Sequence, residues 1–86
     1  MVIENISENL SIPKDISLGA TIFNMMGQYE AYIENYKNII EYHEERIKLQ
    51  GKSCKIQIDG KNLKIEYFST NGMKIKGRFI KIEFLP

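Results

Sequence analysis

A repeat at an offset of seventeen residues occupies the back half of the chain and constrains its fold more than any other feature. Cys54-Lys-Ile-Gln-Ile-Asp-Gly60-Lys-Asn-Leu-Lys-Ile-Glu-Tyr-Phe68 lies over Asn71-Gly-Met-Lys-Ile-Lys-Gly77-Arg-Phe-Ile-Lys-Ile-Glu-Phe-Leu85. Ile58 matches Ile75, Gly60 matches Gly77, and Lys64-Ile65-Glu66 matches Lys81-Ile82-Glu83. Each unit alternates. Ile56, Ile58, Leu63, Ile65 and Tyr67 are set to one side, and Lys55, Gln57, Lys64 and Glu66 to the other. Period two with one apolar face is the signature of a half-buried strand. Two copies are too few for a solenoid, which needs three or more.

The step from Ile58 to Leu63 is odd, so parity must reset between them. Asp59-Gly60-Lys61-Asn62 is expected to do this as a four-residue hairpin loop. In the second copy the interval ends in Phe79, an uncomfortable turn residue, so Gly77 is expected to mark a bulge in one long bent strand. Between the copies, Ser69-Thr70-Asn71-Gly72 predicts a turn, its Asn-Gly pair suiting type I′.

Upstream, Val2, Ile3, Ile6 and Leu10 have helical spacing until Ser11-Ile12-Pro13, where a proline forces extended geometry on the residue before it. Residues 1–19 therefore read as an N-terminal arm with a short helix over 2–10, and residues 20–86 as a single β domain. From Tyr29 to Gln50 local chemistry leaves two readings open. Tyr29, Tyr32, Ile33, Tyr36, Ile40 and Ile47 fall near one helical face. Yet Ile and Tyr favour strands, Asn35-Tyr36-Lys37-Asn38 and His43-Glu44-Glu45 suit turns, and Arg46 to Leu49 alternates.

Taken in order, Ile12-Pro13-Lys14-Asp15, Met26-Gly27, Tyr32 through Tyr42, Glu45 through Leu49, Ile56-x-Ile-x-Gly-x-x-Leu-x-Ile65 and Ile75-x-Gly-x-x-x-x-Ile82 resemble the YabP/YqfC family of endospore-formation proteins, the YqfC branch more closely. The resemblance covers roughly residues 11–85. Its most specific part is Ile33-Glu34-Asn35 followed by Ile-Ile-Glu-Tyr42. The family pattern commonly has His and Gly where this chain has Tyr36 and Asn38. Asn preserves a left-handed turn position, whereas no role of that imidazole transfers here. The resemblance implies strands through 29–50. It further implies a role in endospore formation in the mother-cell cytoplasm of a Gram-positive bacterium, and association with a membrane-embedded sporulation protein.

The predicted fold is thus mainly β: a small antiparallel meander curled into an open barrel or roll, with a roll of stacked seventeen-residue units as the alternative. Twelve basic and eleven acidic residues leave a net charge of +1, which argues against a strong claim on nucleic acid or anionic membrane. The N-terminus lacks the basic start and apolar run of a signal peptide, and no stretch approaches the roughly 20 apolar residues of a membrane span, so direct membrane insertion is not expected.

Catalytic and metal chemistry have few carriers. Cys54 and His43 are the only residues of their kinds, so no intrachain disulfide or Cys/His zinc site can form. His43, between Glu41 and Glu44-Glu45, could be imagined as a base or half of a shared metal site, but no nucleophile motif accompanies it, and a solvated turn explains it. Cys54 beside Lys55 could carry a lowered thiol pKa; a small buried apolar residue is the plainer account. Tyr29, Tyr32, Tyr36, Tyr42 and Tyr67 could stack single-stranded nucleic acid, though aromatics on alternating strands are more often core or cross-strand partners. Gly60 and Gly77 belong to no phosphate-binding loop. Lys55, Lys64, Lys74, Lys76 and Lys81 read as a solvated sheet face.

No enzymatic activity and no cofactor are expected. The apolar group Ile22, Phe23, Met25 and Met26 offers the most functional promise: it completes the core, or it docks a protein partner by apolar contact or strand addition. Homo-oligomerisation is compatible with either. The competing function class is a small module binding single-stranded nucleic acid.

Overall fold

The computed structural model describes residues 20–86, and the helix expected over 2–10 lies outside them. The described residues form six strands and no helix: β1 Ile22–Met26, β2 Glu30–Glu34, β3 Asn38–Tyr42, β4 Arg46–Gln50, β5 Lys55–Phe68 and β6 Gly72–Leu85. All pairings are antiparallel, in the order β1-β2-β6-β5-β4-β3. Residues 29–50 hold the three strands β2, β3 and β4 and no helix. The His43-Glu44-Glu45 turn forms, and in the Asn35–Asn38 link Asn35 takes the left-handed position at φ 63°; Asn38 does not, because it opens β3 opposite Gln50.

β3 to β6 form a meander, but β2 neighbours β6 instead of β3, and the outermost strands do not pair, so the sheet is not closed into a barrel. The two repeat copies are the arms of one antiparallel hairpin and do not stack. Ile58 faces Ile82, the counterpart of Ile65, and Ile65 faces Ile75, the counterpart of Ile58, as a local two-fold relation requires.

That relation extends to the whole sheet. A shift of sixteen residues carries β1 onto β3 and β2 onto β4, and the register follows: Ile22 pairs with Glu34 as Asn38 pairs with Gln50. β2 then flanks the first half of β6 (Glu30 to Lys76) as β4 flanks the first half of β5 (Arg46 to Asp59). Inward residues correspond: Ala31 and Ile33 with Ile47 and Leu49, Ile56 and Ile58 with Met73 and Ile75. All eight are buried in one cluster with Leu63 and Phe79. Ile65 and Ile82 pack against it half-buried. The matching registers of the two halves let one pattern of alternation fill both sides of the core.

The hairpin loop expected at Asp59–Asn62 does not form. β5 runs unbroken from Lys55 to Phe68, and the parity reset is made by register shifts at Asp59/Gly60 and between Lys61 and Lys64, with Asn62 at φ 53°. Gly77, at φ 143°, is the matching irregularity in β6, and it lets Phe79 turn inward to 5 % exposure. A further shift between Ile65 and Tyr67 leaves Tyr67 exposed, against the simple alternation. Gln57, expected outward in water, is nearly buried and donates to Asp59 at 3.2 Å.

The Ser69–Gly72 turn forms without type I′ geometry, since neither Asn71 nor Gly72 has positive φ. Ser69 holds it instead. Its N–H donates to the Gly72 carbonyl at 2.8 Å, and its Oγ accepts from the Asn71 amide at 3.2 Å. A serine doing the work of the Asn-Gly dipeptide is an ST-turn arrangement.

Candidate functional site

Interior strands β2 and β4 carry no exposed large apolar side chain. Apart from Tyr29 in a loop, every such side chain among the described residues lies where a strand has no neighbour on one side. Ile22, Met25 and Met26 lie on edge strand β1, and Ile40 and Tyr42 on edge strand β3. Ile80 and Phe84 lie in the half of β6 beyond β2, and Tyr67 and Phe68 in the half of β5 beyond β4. Burial of apolar area is the main favourable term in association, and apolar side chains gathered along open edges offer it.

The two-fold relation arranges these residues as two similar ends. At one, Ala20, Thr21, Phe23, Cys54, Ile56 and Phe84 line an open groove of about 440 Å³. At the other, Tyr36, Lys37, Ile39, Phe68, Ser69 and Thr70 line one of about 620 Å³. Asn35 Nδ2 donates to the Ala20 carbonyl at 2.9 Å and Thr21 Oγ1 donates to the Asn35 carbonyl at 3.1 Å, fixing the entry to β1. Tyr36 Oη donates to the Ser69 carbonyl at 2.6 Å, tying the β2–β3 link to the β5–β6 turn, and burial pushes its phenol pKa up.

The four apolar residues singled out in the sequence do not share one face. Phe23 and Met25 sit opposite Ile33 and Ala31 and face inward, Phe23 packing on the core. Ile22 and Met26 sit opposite Glu34 and Glu30 on the outer face, with Met26 56 % exposed. Alternation does not single out Ile40, Tyr42, Ile80 and Phe84, because their exposure follows from which strands lack neighbours. One signal for this end was present: no charged residue occurs from Ile16 to Tyr29.

Other candidates are dispersed. His43 is exposed, its Nε2 3.1 Å from Glu41 Oε2. Cys54 is a half-buried free thiol packed against the core. No group of three or more His, Cys, Asp and Glu among the described residues could hold a metal ion. Tyr32 and Tyr67 border one hollow, while Tyr29 and Tyr36 line separate grooves and Tyr42 sits on the β3 edge. Lys74 lies 5.5 Å from the Tyr32 ring centre, and Lys74 and Lys76 lie 3.7–3.8 Å from the carboxylates of Glu66 and Glu30. The equivalent pair in the other half has its signs reversed. Arg46 Nε donates to Asp59 Oδ1 at 2.8 Å, holding that carboxyl below the usual carboxylate range and raising the guanidinium pKa. No helix among the described residues is long and apolar enough to cross a membrane.

No solved structure matches the chain. It is similar to the uncharacterized protein YqfC of Bacillus subtilis (strain 168), 25% identical over 76 residues that cover 88% of this chain and 82% of the relative. The YabP family model matches residues 19–86, all six strands, and the chain belongs to that family.

Proposed function

We propose that this protein is a non-enzymatic sporulation protein that serves endospore formation through protein–protein contact. Its partner is a membrane-embedded sporulation protein, which it meets from the mother-cell cytoplasm. The observation that carries the mode of action is that, Tyr29 apart, the large exposed apolar side chains among the described residues lie at strand edges and sheet ends. Membership of the YabP family supports the biological setting. The contact uses β1 and its surroundings, with Ile22 and Met26 on the outer face and Phe23 and Met25 at the rim of the core.

Two measurements test this. Deleting the gene should lower the yield of heat-resistant spores, and an unchanged yield overturns the setting. Replacing Met25 and Met26 with Gln should weaken recovery of a membrane protein from sporulating cells while leaving Tm nearly unchanged. A large fall in Tm returns these residues to the core. Steeply salt-dependent binding of single-stranded oligonucleotides would favour a nucleic-acid module instead.

A further inference from the structure

Open sheet edges template further pairing, and folded proteins usually guard them with charges or bulges. The two-fold relation makes the outermost strands of this sheet each other's control. β3 is guarded. Glu41 sits on it within reach of His43 and Lys48, and a register shift between Ile39 and Glu41 breaks its regularity. β1 has neither device: its register with β2 is regular from Ile22 to Met26, and it carries no charge. It lies in the uncharged run from Ile16 to Tyr29, the longest in a chain whose charged residues make up 27%.

We propose that β1 pairs antiparallel with β1 of a second copy, so that two sheets become one across a two-fold axis at Asn24. Centred there, Ile22 faces Met26 of the second copy and Phe23 faces its Met25, with Asn24 against Asn24. Charge selects this occupant. Pairing over Ile22–Met26 sets no charged residue against another, whereas a charged segment would lay its charges along an apolar edge. The side-chain pattern is self-complementary, as an isologous contact requires. Ile22, Asn24 and Met26 point to the outer face beside Glu34, Tyr32 and Glu30. Joining the edges therefore merges two Ile22/Met26 pairs into one apolar patch. The inference does not depend on the sporulation reading, though that patch would widen the surface open to a partner.

The test is sedimentation equilibrium on the full chain and on variants at Asn24, an exposed position where a longer side chain points to water. Wild type should be a dimer. Asn24→Lys and Asn24→Glu should each dissociate at least about tenfold more readily, because like charges meet at the axis. Mixing the two variants should restore association as a heterodimer. Ile40→Lys, at the equivalent place on β3, should leave the dimer intact. A monomeric wild type, a dimer indifferent to both Asn24 variants, or a failure of the mixture to re-associate would each overturn the proposal.

Discussion

Gly60 and Gly77 occupy equivalent places where the central hairpin bends, and each donates its amide at 3.1 Å to a loop carbonyl, Glu45 for the first and Tyr29 for the second. The next inward residues repeat the arrangement: Leu63 N–H reaches the Glu44 carbonyl at 2.8 Å and Phe79 N–H the Gln28 carbonyl at 2.9 Å. The outer hairpin loops thus take up amides released where the ladder is broken.

Neither glycine has room for a side chain. A Cβ on Gly60 would run into the Arg78 carbonyl, and one on Gly77 would lie 2.8 Å from both Asn62 O and Leu63 Cα, on a backbone whose φ of 143° already disfavours L residues. Gly60→Ala and Gly77→Ala should each cost about 2–4 kcal/mol. Urea unfolding checks this, and a loss below about 1 kcal/mol would mean the bend relaxes freely.

Stability should fall in acid through Asp59. Its hydrogen bond from Arg46 holds the folded-state pKa below the unfolded value, so the pair's contribution is complete above the ordinary carboxylate range. That contribution fades as pH drops through the lowered pKa, when the unfolded chain binds the proton first. The urea midpoint of Asp59→Asn should therefore vary less than wild type between neutral and acid pH. Identical slopes would remove the ion pair from the account.

Tyr42 closes part of the free edge of β5, its hydroxyl accepting the Ile65 amide at 2.9 Å. Tyr42→Phe should cost about 0.5–1 kcal/mol. More diagnostically, exchange of the Ile65 amide with solvent should accelerate while the β2 amides keep their protection. NMR-detected hydrogen exchange distinguishes the two sets.

Ile33 and Leu49 hold equivalent fully buried positions in the two halves. Truncating either to Ala should cost about 2–5 kcal/mol, and the pair should be similar. A cost confined to one half would show that the halves do not share a core. Thermal unfolding with a single coincident transition by two probes is the companion check.

The strands and most turns were legible because alternation and turn chemistry are local. Asn35 takes its left-handed turn, Arg46 through Leu49 its short strand, and Ile58 and Ile75 their buried places. What escaped was set at long range. Asp59–Asn62 has loop chemistry, but pairing on both flanks keeps it in a strand and turns the parity reset into a bulge. Ile80 and Phe84 have core chemistry, but β5 flanks them on one side only and β2 does not reach them on the other. The split of Ile22 and Met26 from Phe23 and Met25 was implicit in period two, whereas the openness of that edge depends on strand order.

Strand order also bears on how the chain finds its shape. β3, β4, β5 and β6 pair in succession through short links, while Glu34 must wait for Gly72 to be made and brought back to it. One half is thus contiguous and the other is wrapped around it, with a longer loop to close before any contact rewards the chain. The β1–β2 hairpin should then be the last piece to dock and the first to leave. Truncating Ile58 should slow folding, truncating Ile33 should mainly hasten unfolding, and the open edge of β1 should be the segment that a growing chain presents longest to its neighbours.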